Sequence, residues 1–510
     1  MGVSSERQWY LQGVLCMALP LMCAALPPHP FRTVRQQQSV PMVDTPAARH
    51  LTHWLDQCLD HLADTPCVTW KQRYFVNASF YEPGGPVFLC VGGEGPALSP
   101  QVVVTGELHC ALMVKLAQEH GALILALEHR YYGESIPTAD LSTESLKFLS
   151  SRQALADIST FHSVISKRHK LPADTKWISF GGSYPGMLAA WCRSKLPHLF
   201  HAAISSSAPV VAIANMQGYN DVTASDFADS SVGGSAECLS TLEEAFADLG
   251  AQIQTAPGRR AVEKMFKVCG NLTLEDEKNR GVFTQTASDV FIPQGNDPAC
   301  GGQVCNVAKQ CGALLDPATG PSPLARLAAI NALAFGPSCL PSSYAAQVRG
   351  LTNTTKVGGT DRVWFWQTCT EFAFYQTCDP GSRCPFTSTP HLNTLQSYFD
   401  MCELAYGISG AQVEAAVAAS NAYYGGANPL PAATRILFVN GQVDPWHAQS
   451  VLKPNTQQEL PAFMVPGASH HFWTHPAKPS DAPEIVAARV KIAEWVQRFL
   501  LETDRAAVVA

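Results

Sequence analysis

The sequence predicts an α/β fold: a parallel sheet with crossover helices, interrupted once by a large helical insertion. Between residues 51 and 211, short runs that are apolar on both faces alternate with helical patterns, the signature of βαβ units. Residues 212–397 are helical and irregular, and hold nine of the 17 cysteines. Strand patterns then return within residues 398–510, and an amphipathic helix closes the chain.

Taken in order, PVFLCVGG (86–93) and ALILALEHR (122–130) read as buried strands. LKFLSSRQALADISTFHSVISKRHK (146–170) carries apolar residues at helical spacing. WISFGG (177–182) and HAAISSSAPV (201–210) are strand-like again, as are RILFVNG (435–441) and PAFMVPG (461–467) beyond the insertion. The closing helix is IVAARVKIAEWVQRFL (485–500).

At 510 residues the chain can bury a large core, and 46% hydrophobic with 15% charged residues marks it as globular. The net charge of −7 is modest, and no basic block suggests nucleic acid. Residues 1–25 read as a secretory signal peptide: Arg7 precedes an apolar run, and small residues follow at Ala24 and Ala25. Residues 26–50, rich in Pro, Gln and Thr, read as a loose lead-in or propeptide.

Cysteine use agrees with export through the secretory pathway, to a lysosomal, vesicular or extracellular destination. The spacings lack the paired C-x-x-C of a zinc site, so disulfides are expected, with at least one thiol left over from an odd count of 15 after the leader. N-x-S/T acceptors stand at Asn77, Asn271 and Asn353. No metal or cofactor is expected. The expected partner is a peptide substrate, with no nucleic acid, no membrane anchor in the mature chain, and a homodimer allowed.

The chemistry centres on FGGSYPGMLAAW (180–191), which reads as a strand-to-helix turn presenting Ser183. Serine hydrolysis also needs a base, an acid that orients the base, and donors for the oxyanion. Asp444 follows the strand-like 436–439 in NGQVDPWH, and His470 follows 463–465 in PGASHH. The order Ser, Asp, His, each after a strand, is that of an α/β-hydrolase. The residues alone leave His470 and His471 as alternatives. The backbone N–H of Tyr184 and one from VGGEGP, at Gly93, are the expected oxyanion donors.

Pro185 occupies the place of the second glycine of G-x-S-x-G. Its missing N–H does no harm there, because the oxyanion donor belongs to Tyr184 and a first-turn N–H has no helical partner. Proline also steers Tyr184 away from helical angles, as a sharp turn requires.

With QRYFVN, VGGEGP, LEHRYYGES, FGGSYPGMLAAW, WFWQTCTEFAFYQTC, NAYYGG, LFVNGQVDPWH and PGASHH in this order, the chain resembles the S28 serine carboxypeptidase-like peptidases. The resemblance implies an α/β-hydrolase domain whose disulfide-containing helical insertion caps the active site. It places the triad on Ser183, Asp444 and His470. It implies cleavage of short peptides after proline or a small residue near one chain end, with an acidic optimum. Met187, Trp446 and Phe374 are the implied walls of the proline slot. The family commonly has glycine or alanine where this chain has Pro185. Whether a C-terminal residue or an N-terminal dipeptide leaves stays open. An esterase on the same scaffold and a non-catalytic binding protein are the competing readings; GGEGP in place of HGGG disfavours the first, and three intact triad positions the second.

Overall fold

The computed structural model describes residues 50–502 except 65, 107–108, 357–359, 388–393, 427 and 429–432. The expected signal peptide and almost all of the lead-in lie outside the described residues. The described residues form ten strands: β1 (Thr52–Cys58), β2 (Thr69–Asn77), β3 (Val87–Val91), β4 (Leu123–Leu127), β5 (Trp177–Gly182), β6 (Ala202–Ser206), β7 (Ile213–Asn215), β8 (Ala373–Tyr375), β9 (Ile436–Gly441) and β10 (Ala462–Val465). Eight form one sheet in the order β1-β2-β4-β3-β5-β6-β9-β10, and β7 and β8 form a separate parallel pair.

From β4 to β10 the sheet is parallel, because each connection crosses over through a helix or through the insertion. Alternate residues of one strand feed two cores. Val87, Leu89 and Val91 face a core shared with the helices Ser151–Arg168 and Tyr184–Lys195. Phe88 and Cys90 face another core, shared with Ala111–Glu119 and Pro483–Leu501. This double burial explains the unbroken apolar runs VFLCV and LILAL. The chain has the α/β-hydrolase fold.

Two features depart from the sequence reading. The sheet is mixed: β1 and β2 pair antiparallel, and β2 runs antiparallel to β4. The expected boundary at 397/398 falls inside the helix Leu395–Tyr406, and the disulfide Cys369–Cys402 straddles it. That helix packs through Tyr398, Met401 and Cys402 onto Val363, Phe365 and Tyr375, so it continues the insertion, and the hydrolase strands resume only at Ile436.

The insertion has its own core, in which Phe227, Phe246, Phe291 and Phe386 meet. Cys238–Cys311, Cys269–Cys339 and Cys300–Cys305 cross-link it, with Cys378–Cys384 beyond. Cys58–Cys67 and Cys90–Cys110 complete seven bridges among the described residues. The leftover thiol is Cys192, buried in the first core, where burial pushes it far up from its ordinary pKa. No described helix is long and apolar enough to cross a membrane.

Candidate active site

Ser183 stands between the last residue of β5 and the helix Tyr184–Lys195, at φ 64° and ψ −134°. Few non-glycine residues adopt such a backbone, and a strained serine at a strand-to-helix junction is the geometry of a nucleophile elbow. The backbone holds it there: Ser183 N donates to Ser206 O (3.0 Å), and Met187 N donates to Ser183 O (3.1 Å). Its side chain makes no capping hydrogen bond. A Cβ on Gly181 would collide with the Pro185 carbonyl, so helix and strand meet at that glycine.

Asp444 and His470 are joined. His470 Nδ1 lies 3.0 Å from Asp444 Oδ1 and 2.9 Å from Oδ2. Asp444 is 0% exposed and His470 7%. Trp446 N donates to Asp444 Oδ1 at 3.1 Å, which fixes the carboxylate from the other side. His470 Nε2 is buried and has no hydrogen-bond partner. His471 is turned elsewhere: its Nδ1 meets Thr474 Oγ1 (3.2 Å), its N donates to Ser207 Oγ (2.8 Å), and its ring covers Gly182. Burial and the neighbouring His470 hold His471 well below the ordinary histidine range. The geometry therefore separates two histidines that the sequence left as alternatives.

Pro185 has a contact that the sequence did not announce. A Cβ built on Gly93 would sink into the Pro185 ring, so the VGGEGP loop is seated directly on the elbow proline. Tyr184, the residue between, is clamped from the insertion side. Its hydroxyl meets His129 Nε2 (2.9 Å) and accepts from Gln367 Nε2 (2.9 Å), while its ring packs against Trp364 and Phe372. Gln367 also donates to Glu371, which accepts from the N and Oγ of Ser151. The WQTCTEF and EHRYYGES motifs thus form the buried support of the elbow. Beneath them lie the buried pairs Arg73–Glu128 (2.5 Å) and Arg130–Asp157 (2.7 Å).

Of the three implied slot residues, the structure brings two together. Trp446 packs edge-on against Phe374 (5.6 Å between ring centres) and lies 6.2 Å from His470. Met187 is 0% exposed and belongs wholly to the core, as Phe374 nearly does, so Trp446 alone of the three has accessible surface. No motif points to Gln294, from the insertion. Its Oε1 accepts from Trp446 Nε1 (3.0 Å) and Tyr219 Oη (2.9 Å), and its O accepts from His470 N (3.2 Å). Gln442 ties the same two parts, donating to Asp229 Oδ2 (2.9 Å) and accepting from Gly467 N (3.0 Å).

Two acids flank the pair, each with a buried carboxyl oxygen that has no hydrogen-bond partner, Asp226 Oδ2 and Glu94 Oε2. Burial, then the charges of Asp444 and Asp229, push Asp226 up to about 8. Burial pushes Glu94 up to about 7, against the opposing pull of its own N–H and of His470. A cavity of about 470 Å³ lies behind the histidine loop, lined by Asn296, Gln442, Gly467, Ser469 and Phe472 among others, and is touched by none of Ser183, Asp444 or His470.

The glycosylation acceptors differ. Asn77 is buried, and its Nδ2 donates to Val103 O (2.8 Å), so in this fold its amide is not free to carry a glycan. Asn271 is exposed and Asn353 half-buried.

The profile of the family described as "Serine carboxypeptidase S28" matches residues 57–492. Thymus-specific serine protease of Mus musculus is 39% identical over 89% of this chain and 88% of its own length. The Homo sapiens protein of that name is 37% identical, over 88% and 86%. Lysosomal Pro-X carboxypeptidase of Homo sapiens is 26% identical over 88% of each chain.

Proposed function

This chain belongs to the serine carboxypeptidase S28 family of serine-type peptidases, and we propose that it is an exopeptidase cutting short peptides after proline or a similarly small residue. Ser183 attacks the scissile carbonyl, His470 takes the hydroxyl proton and later delivers it to the leaving amine, and Asp444 orients the imidazole. The oxyanion forms against the N–H groups of Tyr184 and Gly93. The observation that carries this reading is the buried imidazole held at Nδ1 by Asp444 with Nε2 left unpartnered.

Trp446, backed by Phe374, is proposed as the wall of a shallow aromatic slot that suits a proline ring. The test is the product pattern from a peptide library in which proline is moved through each position and the termini are free or blocked. Cleavage confined to one end and following proline or a small residue is expected. Scattered internal cleavage, or turnover of esters without peptides, would sink the proposal.

The seat of Gly93 on Pro185 supplies a second test. Gly93→Ala is expected to lower kcat about a hundredfold, the cost of displacing one oxyanion donor, with KM little changed. Pro185→Ala in the same chain makes room for the new methyl and should restore part of the loss. Wild-type kcat in Gly93→Ala would remove this loop from the oxyanion site. The seven disulfides suit the oxidising secretory pathway, and the proposed workplace is lysosomal or extracellular.

A further inference from the structure

Glu94 is the residue after Gly93, in the loop seated on the elbow proline. Its Oε2 is buried and has no hydrogen-bond partner. No lysine or arginine forms an ion pair with it among the described residues. The titratable groups acting on it there are His470, from the histidine loop, and Tyr132, from the segment after β4. An acid buried without a cation keeps its proton, because desolvation penalises the charged form. Glu94 accordingly holds its proton up to about pH 7. The triad uses no such group, and among the described residues its Oε2 meets no acceptor.

A buried carboxyl that stays protonated is a hydrogen-bond donor in search of an acceptor. An ammonium ligand would require the ionised form, which this site disfavours. A carboxylate ligand takes the acid as it stands. Position agrees: Gly93 and Glu94 are adjacent, with Cα atoms about 3.8 Å apart. The scissile carbonyl and the terminal carboxylate of a one-residue leaving group are likewise one residue apart.

We infer that Glu94 is a specificity-determining residue that recognises the free α-carboxylate of the substrate's last residue by donating its carboxyl proton to it. This rests on the exopeptidase reading and deepens it: the enzyme removes a single C-terminal residue. Above about pH 7 the acid ionises and two carboxylates face each other, so recognition fails as pH rises.

The experiment compares two peptides with the same sequence and proline at the penultimate position, one ending in a free carboxylate and one in an amide. With wild type at about pH 5, kcat/KM for the acid should exceed that for the amide by about ten- to a hundredfold, the worth of one charge-assisted hydrogen bond. The preference should vanish by about pH 8, through KM. Glu94→Gln, whose amide donates at any pH, should keep the preference at both; Glu94→Ala should lose it at both. Fluorophosphonate labelling of each variant reports that the fold and nucleophile survive. Equal turnover of acid and amide by wild type at about pH 5, or a retained preference in Glu94→Ala, overturns the inference. So does a requirement for a free N-terminal amine instead, which would assign the site to a cation. Failure of the wild type to cut either peptide while it still labels would count against the exopeptidase proposal itself.

Discussion

Ser183→Ala is expected to abolish peptide hydrolysis, with kcat falling about 10⁶-fold, and to abolish labelling by a fluorophosphonate. The fold should be indifferent. The bonds that hold the elbow come from backbone atoms, Ser183 N to Ser206 O and Met187 N to Ser183 O, and alanine keeps both. The side chain caps nothing, so its removal leaves no orphaned partner. Alanine at φ 64° carries about the same backbone strain as serine. Melting temperature should therefore stay within about 2 °C of wild type, as for changes that touch no named stabilising feature. A variant that folds normally and still cleaves peptides would remove Ser183 from the chemistry.

Asp444→Asn should cost about 10⁴-fold in kcat, the size of effect a wrong imidazole tautomer produces. The geometry fixes which way the amide sits. Oδ1 accepts the Trp446 N–H, so the asparagine oxygen stays there and its NH₂ takes the place of Oδ2, 2.9 Å from His470 Nδ1. A donor at that point competes with Oδ1, 3.0 Å from the same nitrogen, and favours the tautomer in which Nδ1 accepts and the ring proton sits on Nε2, which leaves no base for a serine hydroxyl. His471→Ala should change kcat far less, since His471 meets Thr474 and Ser207 and makes no bond to Asp444. Kinetics on a proline-containing peptide decide both. Activity within tenfold of wild type in Asp444→Asn would mean that the carboxylate does not set the tautomer.

What could be read from the sequence followed burial pattern. Strands β3, β4, β5, β6 and β9 are buried on both faces and announced themselves as apolar runs. The β1–β2 pair escaped notice because its inward positions include Gln57, Gln72 and Arg73, which break the alternation that marks a half-buried strand. These polar groups are paired in the fold, Gln57 with Gln72 and the Asp157 carbonyl, Arg73 with Glu128. Candidates for the triad were legible because each follows a strand. The choice between His470 and His471 was not, since it depends on which ring faces a carboxylate 26 residues away in the chain. Glu94 lay in plain view in VGGEGP, but its protonation is set by burial, which no local pattern encodes. Gln294 and the clamp on Tyr184 join residues 152 and 183 positions apart, beyond the reach of any motif.

The topology also orders events during synthesis. β6 finds its neighbour β9 only after the intervening chain is made, as Ala203 pairs with Ile436. Asp444 follows Ser183 by 261 residues (444 − 183), and His470 by 287 (470 − 183). While the chain emerges, the insertion can close its own bridges, Cys238–Cys311 and Cys269–Cys339, beside a half-sheet whose β6 edge is still unpaired. Long-range strand pairing is slow, and an open edge invites aggregation, so a chain halted before β9 is a natural client for chaperones. On the proposed triad, Ser183 lacks both Asp444 and His470 until β9 and β10 dock. On that proposal the growing chain stays inactive until its last strands are in place.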